Sequence, residues 1–536
     1  MGHSLQRSQR RLRSPSIKKS RHVAVLAAVA ALAPLLVVPP VLAMPVLPMS
    51  LKDGNGHPAK HDNTLMFLRF VARRYLIFGL TGFVAFTLLL RMLYFRPEVI
   101  SESPIAGQER TSSRWEGQRL PPLYPQYHEY ELRLPQHHWH ASSHEAEPKF
   151  FFVPGHSRGS GWGNIMQEIL LNAYLAYKTN RAFVFYNYTW NDNPNEDYSD
   201  YSGKPIPSRV PLTALIRGPI VGEPFPPGLH APPAIAEQYW HAVCDGRTTS
   251  IDRESLHKDI GSWMMEPVTR AWVAKLADVD DQCVAVSEGS NIYDWVTFGD
   301  RHALHEVWPD FAASPILTHF GWSPLVELAF DNNREVISPT TVFEPPLSSI
   351  PYTSNAERYT QLKGLLVLHL RRGDYEGHCE HLAKWSSSFL AFNGLPQLEQ
   401  FDPPEGGSWG ENTPENYAIY RQHCYPSVEQ IVERVREVQK SEAAHGLDKV
   451  YIMTNGAVEW VEELKATLKD AGGFKHVASS RDLVLNWEQK YVAQAMDMLV
   501  GQRAQVFIGN GWSSLTGGIV VMRMANRFHP DTTRFF

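Results

Sequence analysis

Gly364-Leu365-Leu366-Val367-Leu368-His369-Leu370 is an almost wholly apolar run, and it stops abruptly at Arg371-Arg372-Gly373-Asp374. An unbroken run of this length is what a central parallel strand, buried on both faces, requires. Side chains alternate along a strand, so His369 and Arg371 point the same way at its end, beside a glycine turn. That placement suits an anionic ligand, because arginine grips oxyanions bidentately and keeps its charge at any working pH. The plainer reading is an Arg–Asp374 pair. Two arginines against one acid leave a positive remainder, which favours a phosphate site.

Downstream, an irregular insert at 395–416 precedes a predicted helix at 428–439, a strand at 450–453 and a helix at 458–468. A helix at 487–501 and a strand at 505–508 follow. The chain then turns through Gly509-Asn510-Gly511-Trp512-Ser513-Ser514-Leu515-Thr516 into a last helix. Exposed N–H groups and hydroxyls at such a turn form an anion cradle, with simple serine capping as the alternative. Upstream, the pattern of strand, glycine turn, helix and strand begins at Phe150. Its turn, Gly161-Trp162-Gly163-Asn164, opens a helix over 165–177 before a strand at 182–186. Here Asn164 reads either as a helix cap or as a ligand contact. Residues 203–233 hold nine prolines and predict a surface excursion. Another strand is predicted at 283–286. Strands alternating with helices on both sides predict an α/β chain of two Rossmann-like domains, 149–355 and 356–536. Ligands of such sheets sit outside the C-terminal strand ends, here between the domains.

The 536 residues are 43% hydrophobic and 20% charged, a composition that buries a core and excludes wholesale disorder. Residues 1–22 carry seven basic residues and no acid; set against a total charge of −5, they leave −12 on the remainder. A body that acidic is ill suited to binding nucleic acid. The four cysteines are too few for a disulfide-built scaffold. Their even number and order suggest Cys244–Cys283 and Cys379–Cys424 pairs, against four buried thiols.

Residues 75–95 are uncharged up to Arg91 and have aromatic edges. At 1.5 Å per residue they span roughly 30 Å, one bilayer core. Arg69, Arg73 and Arg74 lie before this stretch, which orients it as a type II single-pass anchor. The cytosolic region is then 1–74, and a stem at 96–148 holds the lumenal part off an endoplasmic reticulum or Golgi membrane. The stretch 23–49 is broken by five prolines, and a signal peptide over 1–43 is the alternative reading. The stem's histidines, His128, His137, His138, His140 and His144, read as a solvated linker rather than a metal tract. Asn187-Tyr188-Thr189 is a glycosylation sequon.

The HLRRGD run and VAQAMDMLVGQRAQVFIGNGWSSLTG resemble the protein O-fucosyltransferase-like family of GDP-fucose-dependent glycosyltransferases, and GWGNIMQ is similar to that family's N-terminal turn. The resemblance implies a GT-B-like fold with GDP-fucose in the cleft between two domains. It also implies inversion at the anomeric carbon, a protein or glycan acceptor, and no metal or other cofactor. Carried over, Arg371 holds the β-phosphate and stabilises departing GDP. His369 and Asp497 address the guanine and ribose end, Ser513, Ser514 and Thr516 cradle the phosphates, and Asn164 sits near the sugar or acceptor.

One departure stands out. Some members carry a glutamate base inside the N-terminal turn, where this chain has Gly161, Trp162 and Gly163. Glu168, one helical turn in, reads as a surface residue, so the base is unassigned. Asp278-Val279-Asp280 matches the metal-binding triplet of other glycosyltransferases but lacks an adjoining glycine-rich turn, and chance occurrence is the better account. Two alternatives to fucose transfer remain: a transferase using another nucleotide sugar, and an inactive, membrane-anchored glycan-binding protein.

Overall fold

A computed structural model describes residues 112–138, 147–287, 291–293, 296–405 and 413–536. The predicted span at 75–95 and the stretch 23–49 lie outside these residues. Among the described residues no helix is long and apolar enough to cross a membrane.

Ten short strands build two sheets. The first comprises β1 (Phe150–Phe152), β2 (Ala182–Phe185), β3 (Ile235–Ala236), β4 (Thr249–Ile251) and β5 (Cys283–Val286), in the order β3-β2-β1-β5-β4. The second comprises β6 (Leu362–Leu370), β7 (Lys449–Thr454), β8 (His476–Ser479), β9 (Ala504–Gly509) and β10 (Thr533–Phe535), in the order β8-β7-β6-β9-β10. Every pairing within them is parallel. The central strands β1 and β6 are apolar because helices cover both of their faces. β6 begins at Leu362, two residues before the run read from sequence. Its register to β9 shifts between Leu362 and Leu366, where Gly364 takes φ +80°. Such a bulge needs the residue that tolerates a left-handed backbone.

Leu365 and Val367 enter a core shared with the first sheet, whereas Leu366, Leu368 and Leu370 enter a separate cluster on the opposite face of β6. The helices that matter below are α1 (Pro125–Leu132), α2 (Trp162–Lys178), α3 (Pro324–Asn332), α4 (Tyr375–Lys384), α5 (Pro414–Cys424), α6 (Val428–Gln439), α7 (Val458–Gly472), α8 (Ala493–Arg503) and α9 (Ser514–Ala525). α6 shows why such segments are helical. Val428, Ile431, Val432, Val435 and Val438 form one buried stripe, and Ser427 with Gln430 makes a reciprocal capping box.

Both expected disulfides are formed, Cys244–Cys283 and Cys379–Cys424. The two sheets belong to one compact unit, Pro104–Phe536. Glu327 of α3 is fully buried and receives Arg358 at 2.6 Å through both Nε and Nη2, plus the Tyr359 hydroxyl at 2.7 Å. Trp322 reaches the second half through Gln502 Oε1, 2.8 Å away.

Two expectations differ from what is observed. Residues 112–138, assigned to an extended stem, fold against the body. Tyr124 is buried and donates to the Glu488 carbonyl at 2.7 Å, and Glu131 accepts from the Thr213 N–H and hydroxyl at 3.0 and 2.8 Å. His137 of the supposed solvated tract accepts from the Ala236 N–H and stacks on Tyr239 at 4.4 Å. Weak periodicity concealed this because the segment docks through single anchors rather than a continuous stripe. The proline-rich stretch 203–233 is likewise no surface excursion, since Val210, Leu212, Ile216, Ile220 and Val221 are buried. Pro219 opens a short 3-10 turn, where its missing N–H costs nothing.

Candidate active site

Two glycine turns at C-terminal strand ends bring two helix starts together. The loop after β1 leads to α2, and the turn after β9 leads to α9. A Cβ placed on Gly163 would lie 2.5 Å from the Leu515 nitrogen. The absence of a side chain at Gly163 is therefore what lets the two helices meet. Gln167 of α2 seals the contact by donating to the Ser514 carbonyl at 3.0 Å. Both helix N-termini carry partial positive charge and unsatisfied N–H groups.

Beside this junction lies a cleft of about 310 Å³ bordered by Arg371, Ser513 and Ser514. Arg371 keeps 38% of its side chain exposed; it pairs with Asp374 only at 3.6 Å and has Tyr375 at 5.3 Å. Its Nε is buried without an acceptor. The pairing with Asp374 thus exists, yet it leaves donor capacity for a ligand.

His369 lies beneath the turn, with Nδ1 2.7 Å from Thr516 Oγ1, and Thr516 Oγ1 accepts from the Asn510 N–H at 3.1 Å. Burial, reinforced by the Arg371 charge, holds the imidazole down to about 3, so it is neutral at working pH. With the threonine hydroxyl donating to Nδ1, the ring proton is assigned to Nε2. Thr516 is completely buried, and its hydroxyl is used within the turn rather than offered to the cleft. Asp497 of α8 accepts from the Tyr451 hydroxyl at 2.7 Å, and loss of water pushes its carboxyl up to about 7. Of the residues assigned from the sequence, His369, Thr516, Asp497 and Asn164 do not border the 310 Å³ cleft; Asn164 is half-buried in the first turn of α2.

Several bordering residues had not been singled out in the sequence. Tyr188, Trp190 and Tyr201 form an aromatic wall, and Lys490, Tyr491 and Gln494 close the side leading into α8. The density of rings over 188–201 was the available signal, together with the single cation ahead of α8. None of the described side chains bordering the cleft is a carboxylate. Glu168 is not the surface residue expected of it. Its carboxylate takes the Ser157 N–H at 3.0 and 3.2 Å and Asn291 Nδ2 at 3.3 Å, and so holds the loop leading into α2. Asp278 to Asp280 lie just before the N-terminal end of β5, at the strand ends opposite the glycine turns, and Asp280 pairs with Lys149 at 3.1 Å. Among the described residues no three His, Cys, Asp or Glu side chains cluster as metal ligands.

Residues 340–526 match the family model described as GDP-fucose protein O-fucosyltransferase. The match contains β6, α8, β9 and α9, and with them His369, Arg371, Asp497, Ser513, Ser514 and Thr516. Asn164 falls outside it. No curated protein matches the chain in sequence. Among solved structures, POFUT1 in complex with GDP-fucose is similar at 15% identity and a TM-score of 0.39, covering 74% of this chain and 99% of that one. POFUT1 in complex with GDP is similar at 15% identity and a TM-score of 0.37, covering 73% and 97%.

Proposed function

We infer that this chain, a GDP-fucose protein O-fucosyltransferase-like enzyme by its residues 340–526, transfers fucose from GDP-fucose to a hydroxyl of a protein or glycan acceptor with inversion at the anomeric carbon. The observation that carries the reading is the convergence of Arg371 with the N-termini of α2 and α9 on one cleft. When the bond from the fucosyl carbon to the β-phosphate oxygen breaks, the oxygen keeps the electron pair and charge grows on the diphosphate. A fixed guanidinium and two aligned helix ends stabilise that charge more in the transition state than in the ground state. Ser513 and Ser514 supply hydroxyls at the same end, and His369 Nε2–H and Asp497 are assigned to the nucleoside.

The acceptor oxygen attacks from the face opposite the diphosphate and gives up its proton as the new bond forms. With no carboxylate among the described cleft side chains, bond breaking runs ahead of attack, and the acceptor proton leaves late, to solvent. The positive charge that a divalent ion supplies in other transferases comes here from Arg371 and the helix ends, so the reaction proceeds without metal. Residues 75–95 anchor the chain, with residues 96–536 in the lumen of the Golgi or endoplasmic reticulum. The arginine asymmetry around 75–95 and two disulfide pairs suited to an oxidising compartment support that placement.

Donor hydrolysis in EDTA tests the chemistry without knowledge of the acceptor. The wild type is expected to release GDP from GDP-fucose in preference to GDP-mannose and UDP-sugars. Arg371→Ala should be slower by roughly 10²–10³-fold, the cost of removing one charge-stabilising donor. Equal rates for the two proteins, or turnover confined to added divalent metal, contradict the assignment.

A further inference from the structure

Arg371 and Arg372 leave β6 on opposite faces, and only the first serves the cleft. Arg372 turns toward the side of the sheet covered by α6 and α7, where it borders a separate pocket of about 560 Å³ between the end of α5, the start of α6 and Trp460 of α7. The residue is only 6% exposed. Its guanidinium lies 4.0 Å from the Trp460 ring centroid and 4.4 Å from that of Tyr425, and Nη2 donates to the Pro426 carbonyl. Its Nε has no acceptor, and among the described residues no carboxylate lies within ion-pair distance of it. A hydrogen bond to the Tyr425 side chain and the charge of Glu376, itself paired with Arg421, offset part of its desolvation, yet no carboxylate pairs with the guanidinium directly, and a cation buried in that way is costly.

The surroundings are built to hold this side chain in place. Asn455 accepts from the Arg372 N–H at 2.7 Å and donates to its carbonyl at 3.0 Å, while the Cys379–Cys424 disulfide fixes the end of α5. Arg421 stands on the rim, engaged with Glu376 at 3.0 Å. The acids of the pocket, Glu429 and Glu463, are exposed on its outer side, and Glu429 is occupied by the Ser427 hydroxyl at 2.7 Å.

We propose that this pocket is a second oxyanion-binding subsite, distinct from the donor cleft, in which Arg372 receives a phosphate or carboxylate group of a small ligand and Arg421 guards the entrance. The volume admits a sugar-sized body behind the anionic group. Because Arg371 is the next residue along the chain, an occupied subsite stiffens the segment that presents the catalytic guanidinium.

The test is calorimetric titration of orthophosphate, and separately of D-glucuronate, into the purified protein with and without saturating GDP. Binding of at least one probe is expected, undiminished by GDP and retained in Arg371→Ala. It should weaken at least tenfold in Arg372→Gln and severalfold in Arg421→Gln. Phosphate alone as the binder identifies a phosphorylated ligand, and glucuronate identifies an acidic sugar; either supports the subsite. Should Arg372→Gln fail to fold, the exposed Arg421→Gln carries the comparison. Failure of both probes to bind the wild type, or binding that GDP displaces and Arg371→Ala abolishes, overturns the proposal. The outcome is independent of the donor reading, since it does not require that GDP binds.

Discussion

At the scale of single residues, two buried groups close to the cleft but not bordering it have their ionisation shifted by burial in opposite directions. Asp497 is raised to about 7 from an ordinary 3.8, so the folded chain releases this proton at higher pH than the unfolded one does. Its contribution therefore increasingly opposes folding as pH climbs from about 4 through 7. His369, lowered to about 3 from 6.5, works the other way: it stabilises the folded chain above 6.5, and that contribution is lost as pH falls toward 3. Under the proposed nucleoside assignment, Asp497 accepts through both carboxyl oxygens from a guanine edge only when it is ionised. GDP affinity is expected to rise with pH through about 7, and Asp497→Asn should flatten that rise. A pH-independent affinity in the wild type would remove Asp497 from the nucleoside contacts. His369 was legible in the sequence because a strand end beside a glycine turn announces itself, whereas Asp497, inside α8, was reached only through the family resemblance. What was not legible is that Thr516 spends its hydroxyl on His369 and the Asn510 N–H, since one partner comes from β6 and the other from the turn after β9.

At the scale of elements, the crossing of α2 on α9 is the device that makes the cleft. It depends on Gly163, whose replacement by alanine would put a Cβ 2.5 Å from the Leu515 nitrogen, a backbone atom that cannot step aside cheaply. Overpacking of this kind costs about 1–3 kcal/mol. Gly163→Ala is expected to lower the thermal midpoint and also to weaken GDP binding, because it parts the two helix N-termini. Calorimetric unfolding and nucleotide titration on the same preparation check both effects. An unchanged affinity would mean that the helix ends do not hold the diphosphate. The core strands and the last helix could be read from apolar runs, because a strand covered on both faces has few alternatives. The docked segment 112–138 and the buried proline-rich stretch could not, because their burial is decided by partners far away in sequence, such as Glu488 for Tyr124.

At the scale of the whole molecule, a cleft between two sheets works only if the halves keep their spacing. The fully buried Glu327–Arg358 pair, with the Tyr359 hydroxyl, joins α3 to the segment entering β6. Removing one partner strands a buried charge, at a cost of about 3–5 kcal/mol. Glu327→Ala should therefore unfold at markedly lower denaturant, as tryptophan fluorescence would report; a midpoint within error of the wild type would show that the pair is dispensable. The paired disulfides could be anticipated from cysteine number and order, whereas this ion pair could not, since nothing in the sequence marks which acid will be enclosed.

The function proposed for this chain rests on Arg371 and the two helix starts forming a nucleoside diphosphate site selective for guanine. Titration of GDP, UDP and ADP into the protein in EDTA, alongside Arg371→Ala, tests it most directly. GDP alone is expected to bind tightly, and Arg371→Ala to lose at least tenfold in affinity while remaining folded. Equal affinity for all three nucleotides, or GDP binding that Arg371→Ala leaves intact, would contradict it.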